Sequence, residues 1–542
     1  MTEDRDDLPK EFDLTVIGTG LTESIVAAAA SRVGKSVLHL DVNEYYGSYW
    51  ASFNFKNLQT LKEECGEQKE MLETNGIQLW RHSNQVQNVQ INWHVPESSE
   101  TEGDGEEWTQ ARIVKDYHKF NIDLAPKLLY SRGSMVELLI SSNICRYAEF
   151  RSVDRIATLY EGDIKTVPCS RSDVFNTKEV TMVEKRILMK MLETCMQCEE
   201  GNEEFEYNRE NTFLQYLEAK RLPPKLIHYL LDAISMSNVH TSFEEGIQRV
   251  RRFIESLGRY GNTPFLFPMY GCGELPQCFC RLCAVFGGIY CLRRPIERIE
   301  LRRPEEGDGK RLSMVIGEQT IQTQDIVFGS GTISITGDYQ NRSCLAGLPE
   351  MIMPRKCGNM SRGIFLVDSP LGGAAENQGG GGVALLKLPP APGVTTDKQG
   401  AFVIQLSHHS GTCPPGLHLI HITCDADIDP RLDLQPYVDQ ILSVSDEGSQ
   451  TPENSQDQVD GEEMEDVGKR KPRILYSLYF TIPQCFKCDN YDKLPEGVHL
   501  ACGPYLELDY DTSINQGREL FLKIYPNEEF LPRCPEPEEI IL

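Results

Sequence analysis

The spacing of apolar residues divides the chain into stretches typical of strands and stretches typical of helices. A buried strand is predicted at 12–17, an alanine-rich helix follows it, and a second strand is predicted at 37–41. After residue 120 the spacing becomes helical, with the clearest amphipathic helix at 181–192, and strand patterns return from residue 288. We therefore predict an α/β protein with a discontinuous sheet domain and an inserted, mostly α-helical domain.

Acidic runs and changes of pattern predict the segment boundaries. Residues 97–107 contain six acidic and no basic residues, and residues 446–466 contain nine and none, so both are predicted to be solvated, disordered insertions. The predicted segments are a first part of the sheet domain (1–95), an acidic linker (96–120), the helical domain (121–257), a second part of the sheet domain (258–444), a disordered acidic insertion (445–468) and the C-terminal part of the sheet domain (469–542).

Size and charge restrict the possible partners. A chain of 542 residues is long enough to bury a large core and to form at least two domains. Its net charge of −27 argues against nucleic acid as a partner, because phosphate backbones bind basic surfaces. No apolar run approaches the roughly 20 residues that span a bilayer, so we expect a cytosolic protein.

Cysteine is abundant, with eighteen residues in the chain. In a cytosolic protein the expected state of these thiols is reduced and buried. Two Cys-x-x-Cys pairs, Cys195/Cys198 and Cys485/Cys488, leave a zinc site open as an alternative. Because the pairs lie far apart and differ in context, we predict that no metal is bound.

A dinucleotide-binding fingerprint with one altered position follows the first strand. Gly18 and Gly20 occupy its first two glycine positions, and Asp41 lies about 20 residues downstream, where a cofactor ribose would be held. Glu23 replaces the third glycine. Since this carboxylate brings negative charge to the helix N-terminus that would bind a pyrophosphate, we predict that the fold is kept and that no cofactor is bound.

Residues 265–292, together with this fingerprint and Tyr45-Tyr46-Gly47, resemble the family of GDP-dissociation inhibitors and Rab escort proteins. That family shares its two-domain fold with FAD monooxygenases and amine oxidases, so the resemblance implies an FAD-binding-like sheet domain. The segments 277–281, 284–291, 526–530 and 537–542, and the acidic insertions, look like the escort branch.

The resemblance implies that the sheet domain binds a Rab GTPase. Glutamate and arginine on this surface suit charged hydrogen bonds to a polar partner. An ion pair between Glu274 and Arg281 stays open as the alternative. The matched family positions are Tyr46, Glu274, Arg281 and Cys291 on the surface that contacts the GTPase switch regions, and Arg259 and Phe265 on a mobile loop beside it.

The resemblance also implies two roles for the helical domain. Phe175 and Arg186 match the escort positions that contact the α-subunit of Rab geranylgeranyltransferase, and an aromatic anchor beside an arginine is usual hot-spot chemistry. The alternative is a core phenylalanine and a surface arginine. The candidates for holding the geranylgeranyl lipid of the Rab, for which ordinary core is the alternative, are Leu138, Leu139, Met182, Leu188, Met189 and Leu192.

A non-catalytic escort function follows from the resemblance. Such a protein binds GDP-bound, unprenylated Rab and presents it to the catalytic αβ heterodimer of the transferase. It then holds the prenylated Rab and delivers it to membranes, with which it associates transiently. A GDP-dissociation inhibitor that recycles prenylated Rabs without supporting transfer is the first alternative. An FAD-dependent oxidoreductase is the remote one.

Overall fold

A computed structural model of the chain describes residues 8–66, 71–74, 77–80, 86–98, 107–169, 173–174, 177, 180–294, 298–301, 312–316, 319–329, 333–334, 358–373, 382–391, 399–444, 471–484 and 496–533. The predicted insertion 445–468 and the pair Cys485/Cys488 lie outside the described residues.

Helices alternate with strands along most of the described chain. A π-helix over Tyr229–Ile234 follows directly after the α-helix Pro224–His228. The α-helices are α1 (Leu21–Arg32), α2 (Phe55–Gly66), α3 (Gln110–Lys115), α4 (Ser134–Ser141), α5 (Met182–Gln197), α6 (Glu203–Asn208), α7 (Phe213–Ala219), α8 (Pro224–His228), α9 (Phe243–Ser256), α10 (Glu274–Val285), α11 (Pro430–Ile441) and α12 (Asp511–Ile524).

Strands occupy both sides of the main helical region in the sequence. They are β1 (Glu11–Ile17), β2 (Val37–Leu40), β3 (Ser52–Phe53), β4 (Met71–Thr74), β5 (Ile77–Trp80), β6 (Gln87–Trp93), β7 (Ile122–Asp123), β8 (Leu129–Tyr130), β9 (Phe150–Ser152), β10 (Arg155–Tyr160), β11 (Asp163–Thr166), β12 (Phe265–Pro268), β13 (Ile289–Cys291), β14 (Arg298–Leu301), β15 (Leu312–Ile316), β16 (Gln319–Gly329), β17 (Ile333–Ser334), β18 (Gly358–Val367), β19 (Ala384–Leu388), β20 (Ala401–Ser407), β21 (His418–Asp425), β22 (Ile474–Gln484) and β23 (Val498–Ala501).

The first sheet is mainly parallel and contains the predicted β-α-β unit. Its order is β13-β2-β1-β16-β15-β14, with β23 also paired to β16. Strand β1 runs parallel to β2 and β16, so that Leu14 lies opposite Val37 on one side and Asp325 on the other. Helix α1 makes the crossover between β1 and β2, the connection that parallel strands require.

Helix α1 is enclosed by the protein. Every residue from Leu21 to Ser31 is buried, and the helix packs against α10 and α12. The four alanines at 27–30 have no exposed surface, and their small side chains permit this close packing of helices. The position of α10 therefore depends directly on α1.

The second sheet is mainly antiparallel. Its order is β11-β10-β19-β20-β21-β18-β22-β6, with β10 and β19 paired in parallel. Helix α11 covers one face, where Leu434, Tyr437 and Val438 join a separate cluster of buried apolar side chains. The two sheets and the intervening helices confirm the predicted α/β class and the discontinuous sheet domain.

Two predicted segment boundaries differ from the structure. The range 121–257 begins with β7–β11, and β10 and β11 extend the second sheet, because alternating apolar residues such as Ile156 pair with strand β19. The continuous helical region therefore begins at α5. In the predicted linker 96–120, Thr109 caps helix α3 by accepting a hydrogen bond from the backbone N–H of Arg112 at 3.2 Å.

The helical region shares a core with the sheet domain. One continuous cluster of buried apolar side chains includes Leu14 on β1 and Phe253 on α9. Within the helical region, α7 and α9 pack so closely that a Cβ atom at Gly246 would overlap the ring of Phe213. Glycine is therefore required at position 246 by packing rather than by backbone conformation.

The change Gly246→Ala is expected to lower the free energy of unfolding by about 1–2 kcal/mol. Overpacking costs about 1–3 kcal/mol, and direct overlap with the buried ring of Phe213 belongs in the upper part of that range. This cost exceeds the roughly 1 kcal/mol that alanine gains over glycine in a helix. Urea unfolding measures the change. The control Gln248→Ala, on the exposed face of the same helix, should change stability by less than about 0.5 kcal/mol, and equal stability of both variants would contradict the packing argument.

Candidate functional site

The altered fingerprint forms the turn between β1 and α1. Gly18 has a φ of +98°, which favours glycine, and Gly20 precedes the first turn of the helix. Glu23 folds back over this turn, and its Oε2 lies 2.5 Å from where a Cβ of residue 20 would be. Burial raises the pKa of Glu23 from 4.5 to about 8. The space that a pyrophosphate requires is therefore next to a buried carboxyl group.

Both carboxylate oxygens of Asp41, the predicted ribose ligand, already accept hydrogen bonds from nearby residues. Its Oδ2 accepts hydrogen bonds from the Thr19 N–H at 2.9 Å and the Thr19 hydroxyl at 2.6 Å, and its Oδ1 accepts one from the Asn43 N–H at 2.9 Å. Burial also raises the pKa of Asp41 to about 6. The residues at this turn do not fit a dinucleotide, and the absence of a cofactor remains a prediction.

The change Glu23→Gln should make the stability of the chain less dependent on pH. The raised pKa means that the folded chain keeps a proton that the unfolded chain releases above pH 4.5. Wild-type stability contributed by this group therefore falls between about pH 4.5 and 8, by as much as ~1.4 kcal/mol per pH unit. The glutamine variant should gain stability relative to wild type as pH rises through this range.

Unfolding free energies of both proteins across this pH range provide the measurement. The exposed Glu529→Gln variant controls for the general loss of one acid. Parallel stability curves for wild type and Glu23→Gln would show that Glu23 is charged in the folded protein.

Four residues predicted to face the GTPase lie on α10 and next to strands β2 and β13. Glu274 begins α10 and is half-buried, which raises its pKa, and Arg281 is exposed two turns further along. Tyr46 follows β2, and Cys291 ends β13. These strands are hydrogen-bonded neighbours, and Tyr46 stands beside Tyr290 with ring centroids 6.2 Å apart. Glu274 and Arg281 thus share one side of α10, and Tyr46 and Cys291 lie beside two neighbouring strands.

Arg281 is held by an aromatic ring rather than by Glu274. Its guanidinium lies 4.4 Å from the ring centroid of Tyr147, in the segment that follows α4. Both Glu274 and Arg281 are described, and no ion pair joins them. The alternative that the two residues neutralise each other is not what the structure shows, and both polar groups remain available at the surface.

The two residues predicted on a mobile loop have different positions. Arg259 donates a hydrogen bond to the Ser131 carbonyl oxygen at 2.9 Å and forms an ion pair with Glu137 on α4. Phe265 is fully buried on β12, between β8 and β9, and its ring centroid lies 4.5 Å from that of Tyr130. The prediction that Phe265 contacts a partner is therefore wrong, because its side chain is part of the core.

A large apolar cavity lies between α5 and the end of α9. It has a volume of about 1020 Å³. Three methionines spaced seven residues apart, Met182, Met189 and Met196, form a stripe along α5, and Leu192 lies beside it. Ile254 and Leu257 close the opposite side. Unbranched methionine side chains suit a flexible apolar ligand.

Three of the six predicted lipid residues line this cavity and three do not. Met182, Met189 and Leu192 contribute to it. Leu188 and Leu138 are buried in the main core, whereas Leu139 lines a smaller cavity beside α4. The sequence prediction missed five apolar side chains of the lining, of which the seven-residue methionine spacing could have found the first. They are Met196, Cys169, Val174, Ile254 and Leu257.

The predicted transferase contact lies at the edge of the same cavity. Arg186 is exposed and borders it, and Val183, one turn earlier on α5, is 68% exposed. Phe175 lies outside the described residues. The helix itself begins with a capping box, in which the Thr181 hydroxyl accepts from the Glu184 N–H and Glu184 accepts from the Thr181 N–H. This cap fixes the start of the helix that carries the cavity and Arg186.

The described cysteines give no support to a zinc site. Among the residues that the structure covers, no group of three or more His, Cys, Asp or Glu side chains is placed to hold a metal ion. Burial raises the pKa of Cys195 to about 12, which disfavours the thiolate that zinc binds. Burial raises the pKa of Cys278 and Cys280 on α10 to about 12 as well.

Two family models match the chain. A family model described as GDP dissociation inhibitor matches residues 8–77 and 104–341. The chain belongs to the family of GDP-dissociation inhibitors and Rab escort proteins. A second model, described as RAE1/2 domain I, C-terminal region, matches residues 360–506. Together they confirm the resemblance that residues 265–292 indicated.

Two relatives distinguish the branches of this family. The "Rab proteins geranylgeranyltransferase component A" of Drosophila melanogaster is 42% identical over 548 residues, which cover 99% of this chain and 93% of that protein. The "Guanosine nucleotide diphosphate dissociation inhibitor 1" of Arabidopsis thaliana is 25% identical over 450 residues, covering 81% and 85%. The higher identity and fuller coverage favour the escort side, as segments 277–281 and 284–291 predicted.

A solved structure has the same fold. The Rab GDI from Plasmodium falciparum aligns with a TM-score of 0.62 and 14% identity, over 96% of this chain and all of that chain. This likeness concerns the fold and confirms its predicted GDI-like class. None of the described helices combines the length and the apolar character needed to cross a bilayer.

Proposed function

We propose that this chain is the non-catalytic escort component of a Rab geranylgeranyltransferase. It binds GDP-bound, unprenylated Rab on the sheet domain and presents the Rab to the catalytic αβ heterodimer. It then covers the attached lipid and delivers the prenylated Rab from the cytosol to a membrane. The observation that carries this proposal is the cavity of about 1020 Å³ along α5, which has Arg186 at its edge.

The GTPase side of the proposal rests on the face formed by α10 and the β2–β13 edge. Glu274 and Arg281 offer opposite charges two helical turns apart, and Tyr46 adds a half-buried ring with a polar hydroxyl group. Charged hydrogen bonds of this kind set the orientation and specificity of a protein partner. Because Arg281 is already held against Tyr147, less side-chain freedom is lost when it binds.

The lipid side rests on the composition of the α5 cavity. Exposing an isoprenoid chain to water costs roughly 0.8 kcal/mol per CH₂ group, so covering ten such groups is worth about 8 kcal/mol. The methionine stripe and Ile254 supply the apolar walls, and Arg186, Lys190 and Glu193 follow one edge. This arrangement suits an apolar chain whose attached peptide leaves the cavity at the polar edge.

The transferase side rests on the position of Arg186 next to that opening. A transferase bound there would add the lipid close to the cavity that receives it. The escort then acts through effective concentration, because holding Rab and enzyme together makes the encounter of the Rab tail with the active site intramolecular. Bond formation belongs to the catalytic heterodimer, and this chain contributes no reacting group.

The changes Arg186→Ala and Phe175→Ala are expected to reduce geranylgeranyl transfer at least about ten-fold and to leave Rab binding unchanged. Loss of one central interface residue costs about 1.4 kcal/mol or more, which corresponds to that factor. The measurement is lipid transfer to purified GDP-bound Rab by the αβ heterodimer, with Rab affinity measured separately. Arg209→Ala, elsewhere on the helical domain and exposed, is the matched control.

A recycling inhibitor gives a different result in the same assay. If the wild-type chain binds Rab but never supports transfer, the escort proposal fails and the inhibitor alternative replaces it. If the two variants lose Rab binding together with transfer, their side chains belong to the GTPase interface instead.

The change Met189→Glu is expected to weaken binding of prenylated Rab at least about ten-fold without affecting unprenylated Rab. A carboxylate in the middle of the methionine stripe is either desolvated by the lipid or protonated at a cost, and both penalties exceed about 1.4 kcal/mol. Affinities for the two forms of one Rab measure the effect. Gln248→Glu adds the same charge on the exposed face of α9 as a control, and equal affinity of Met189→Glu and wild type for prenylated Rab would place the lipid elsewhere.

A further inference from the structure

Tyr270, in the turn before α10, has a backbone conformation that is unusual for an aromatic residue. Its φ is +67°, in the left-handed region that favours glycine. Nine non-glycine residues in the described part of the chain have a positive φ, and Tyr270 is the one aromatic residue among them. A bulky side chain in this region is strained, so the surrounding structure has to hold it there.

The turn at 269–273 is held by backbone hydrogen bonds to four other segments of the chain. The N–H donors and their acceptors are Met269 and the Glu149 carbonyl oxygen (2.9 Å), Tyr270 and the Ser410 carbonyl oxygen (2.9 Å), Cys272 and the Asp123 carboxylate (2.8 Å), and Gly273 and the Ser52 hydroxyl (3.0 Å). Glycine at 271 permits this close approach, because a Cβ there would lie 2.5 Å from the Ser52 Oγ. The left-handed conformation of Tyr270 is therefore fixed from both sides.

The ring of Tyr270 is displayed at the surface in spite of this strain. The residue is 50% exposed. Its ring rests on Gly411, where a Cβ would lie 2.6 Å from the Tyr270 Cδ1. Packing alone does not explain the arrangement, because a ring held for the sake of the core would be buried. The turn instead presents a rigidly held aromatic side chain to solvent.

The position of this ring is next to the proposed GTPase face. The turn runs directly into Glu274, the first residue of α10. Four residues separate Tyr270 from Glu274, so their Cα atoms are at most about 14 Å apart. A standard protein interface covers about 800 Å² on each partner, which is roughly 30 Å across. One partner is therefore large enough to contact both residues.

We propose that Tyr270 is a contact residue for the GTPase and that its ring is an aromatic anchor at the start of α10. This inference rests on the proposed function, because it assumes that the GTPase binds at α10. Tyrosine is enriched among the residues that dominate interface energies. A ring that the turn already holds in place loses little freedom on binding. The strain at Tyr270 is thus the cost of keeping the ring oriented toward the partner.

Hydroxyl-radical labelling of the wild-type chain tests the contact without any substitution. Oxidation of tyrosine follows its exposure to solvent and is quantified by peptide mass spectrometry. GDP-bound, unprenylated Rab at about ten times its Kd occupies about nine-tenths of the chains, so labelling of Tyr270 should fall at least about three-fold. Tyr207, which is 84% exposed on α6, is the internal control and should be labelled equally with and without Rab.

Substitutions separate a contact from a packing role. Tyr270→Asn should weaken Rab binding at least about ten-fold. Its midpoint of urea unfolding should not fall below that of wild type, because asparagine adopts the left-handed region more readily than tyrosine. Tyr270→Phe keeps the ring and should bind Rab like wild type. The matched control Tyr207→Asn should change neither Rab affinity nor the urea midpoint.

The possible failures are distinguishable. If the wild-type chain does not bind Rab, the proposed function fails and this inference fails with it. If Rab binds but neither protects Tyr270 nor responds to Tyr270→Asn, the contact is overturned while the proposed function stands. A lower urea midpoint in Tyr270→Asn, with Tyr270 still labelled in the wild-type complex, would make it a packing residue of the turn. Equal losses of affinity in Tyr270→Phe and Tyr270→Asn would exclude the ring as the anchor.

Discussion

Enclosure of helix α1 is the constraint on which the sheet domain depends. The helix lies between the first sheet and the helices α10 and α12, and its residues from Leu21 to Ser31 are all buried. Four consecutive alanines in α1 have small side chains, which lets α10 and α12 pack close to it. Since α10 carries Glu274 and Arg281, the geometry of the proposed GTPase face is set by packing on its opposite, buried side. A larger side chain in the alanine run would move the face itself.

The residues packed at the altered fingerprint do not fit a cofactor, whose absence remains a prediction. The first turn of α1 no longer needs to leave room for a pyrophosphate, and Glu23 occupies that room with a buried carboxyl group. Asp41 accepts hydrogen bonds from Thr19 and Asn43, and these bonds hold the loop that leads to Tyr46. The altered fingerprint thus supports the loop that leads to the proposed GTPase face, and burial raises the pKa of both acids.

Local sequence patterns predicted what depends on local structure. The β-α-β unit and helix α5 follow from apolar periodicity, and the family from a continuous segment, residues 265–292. The failures involve contacts between distant parts of the chain. The resemblance places Phe265 on a loop beside the GTPase face, and nothing in its sequence neighbours reveals that β12 is the central strand of a small sheet. Ile254 and Leu257 were missed because only the crossing of α9 over α5 brings them to the cavity.

Burial in the folded protein protects the cysteine thiols from chemical modification. With the pKa of Cys195, Cys278 and Cys280 raised to about 12, almost no thiolate exists in the native state, so oxidants and electrophiles find little to attack. Unfolding returns these groups to ordinary reactivity. If one of these thiols is modified during a brief unfolding event, it no longer fits its buried position, and the unfolding becomes irreversible. The working lifetime of the molecule is therefore governed by how often it opens as well as by how stable it is.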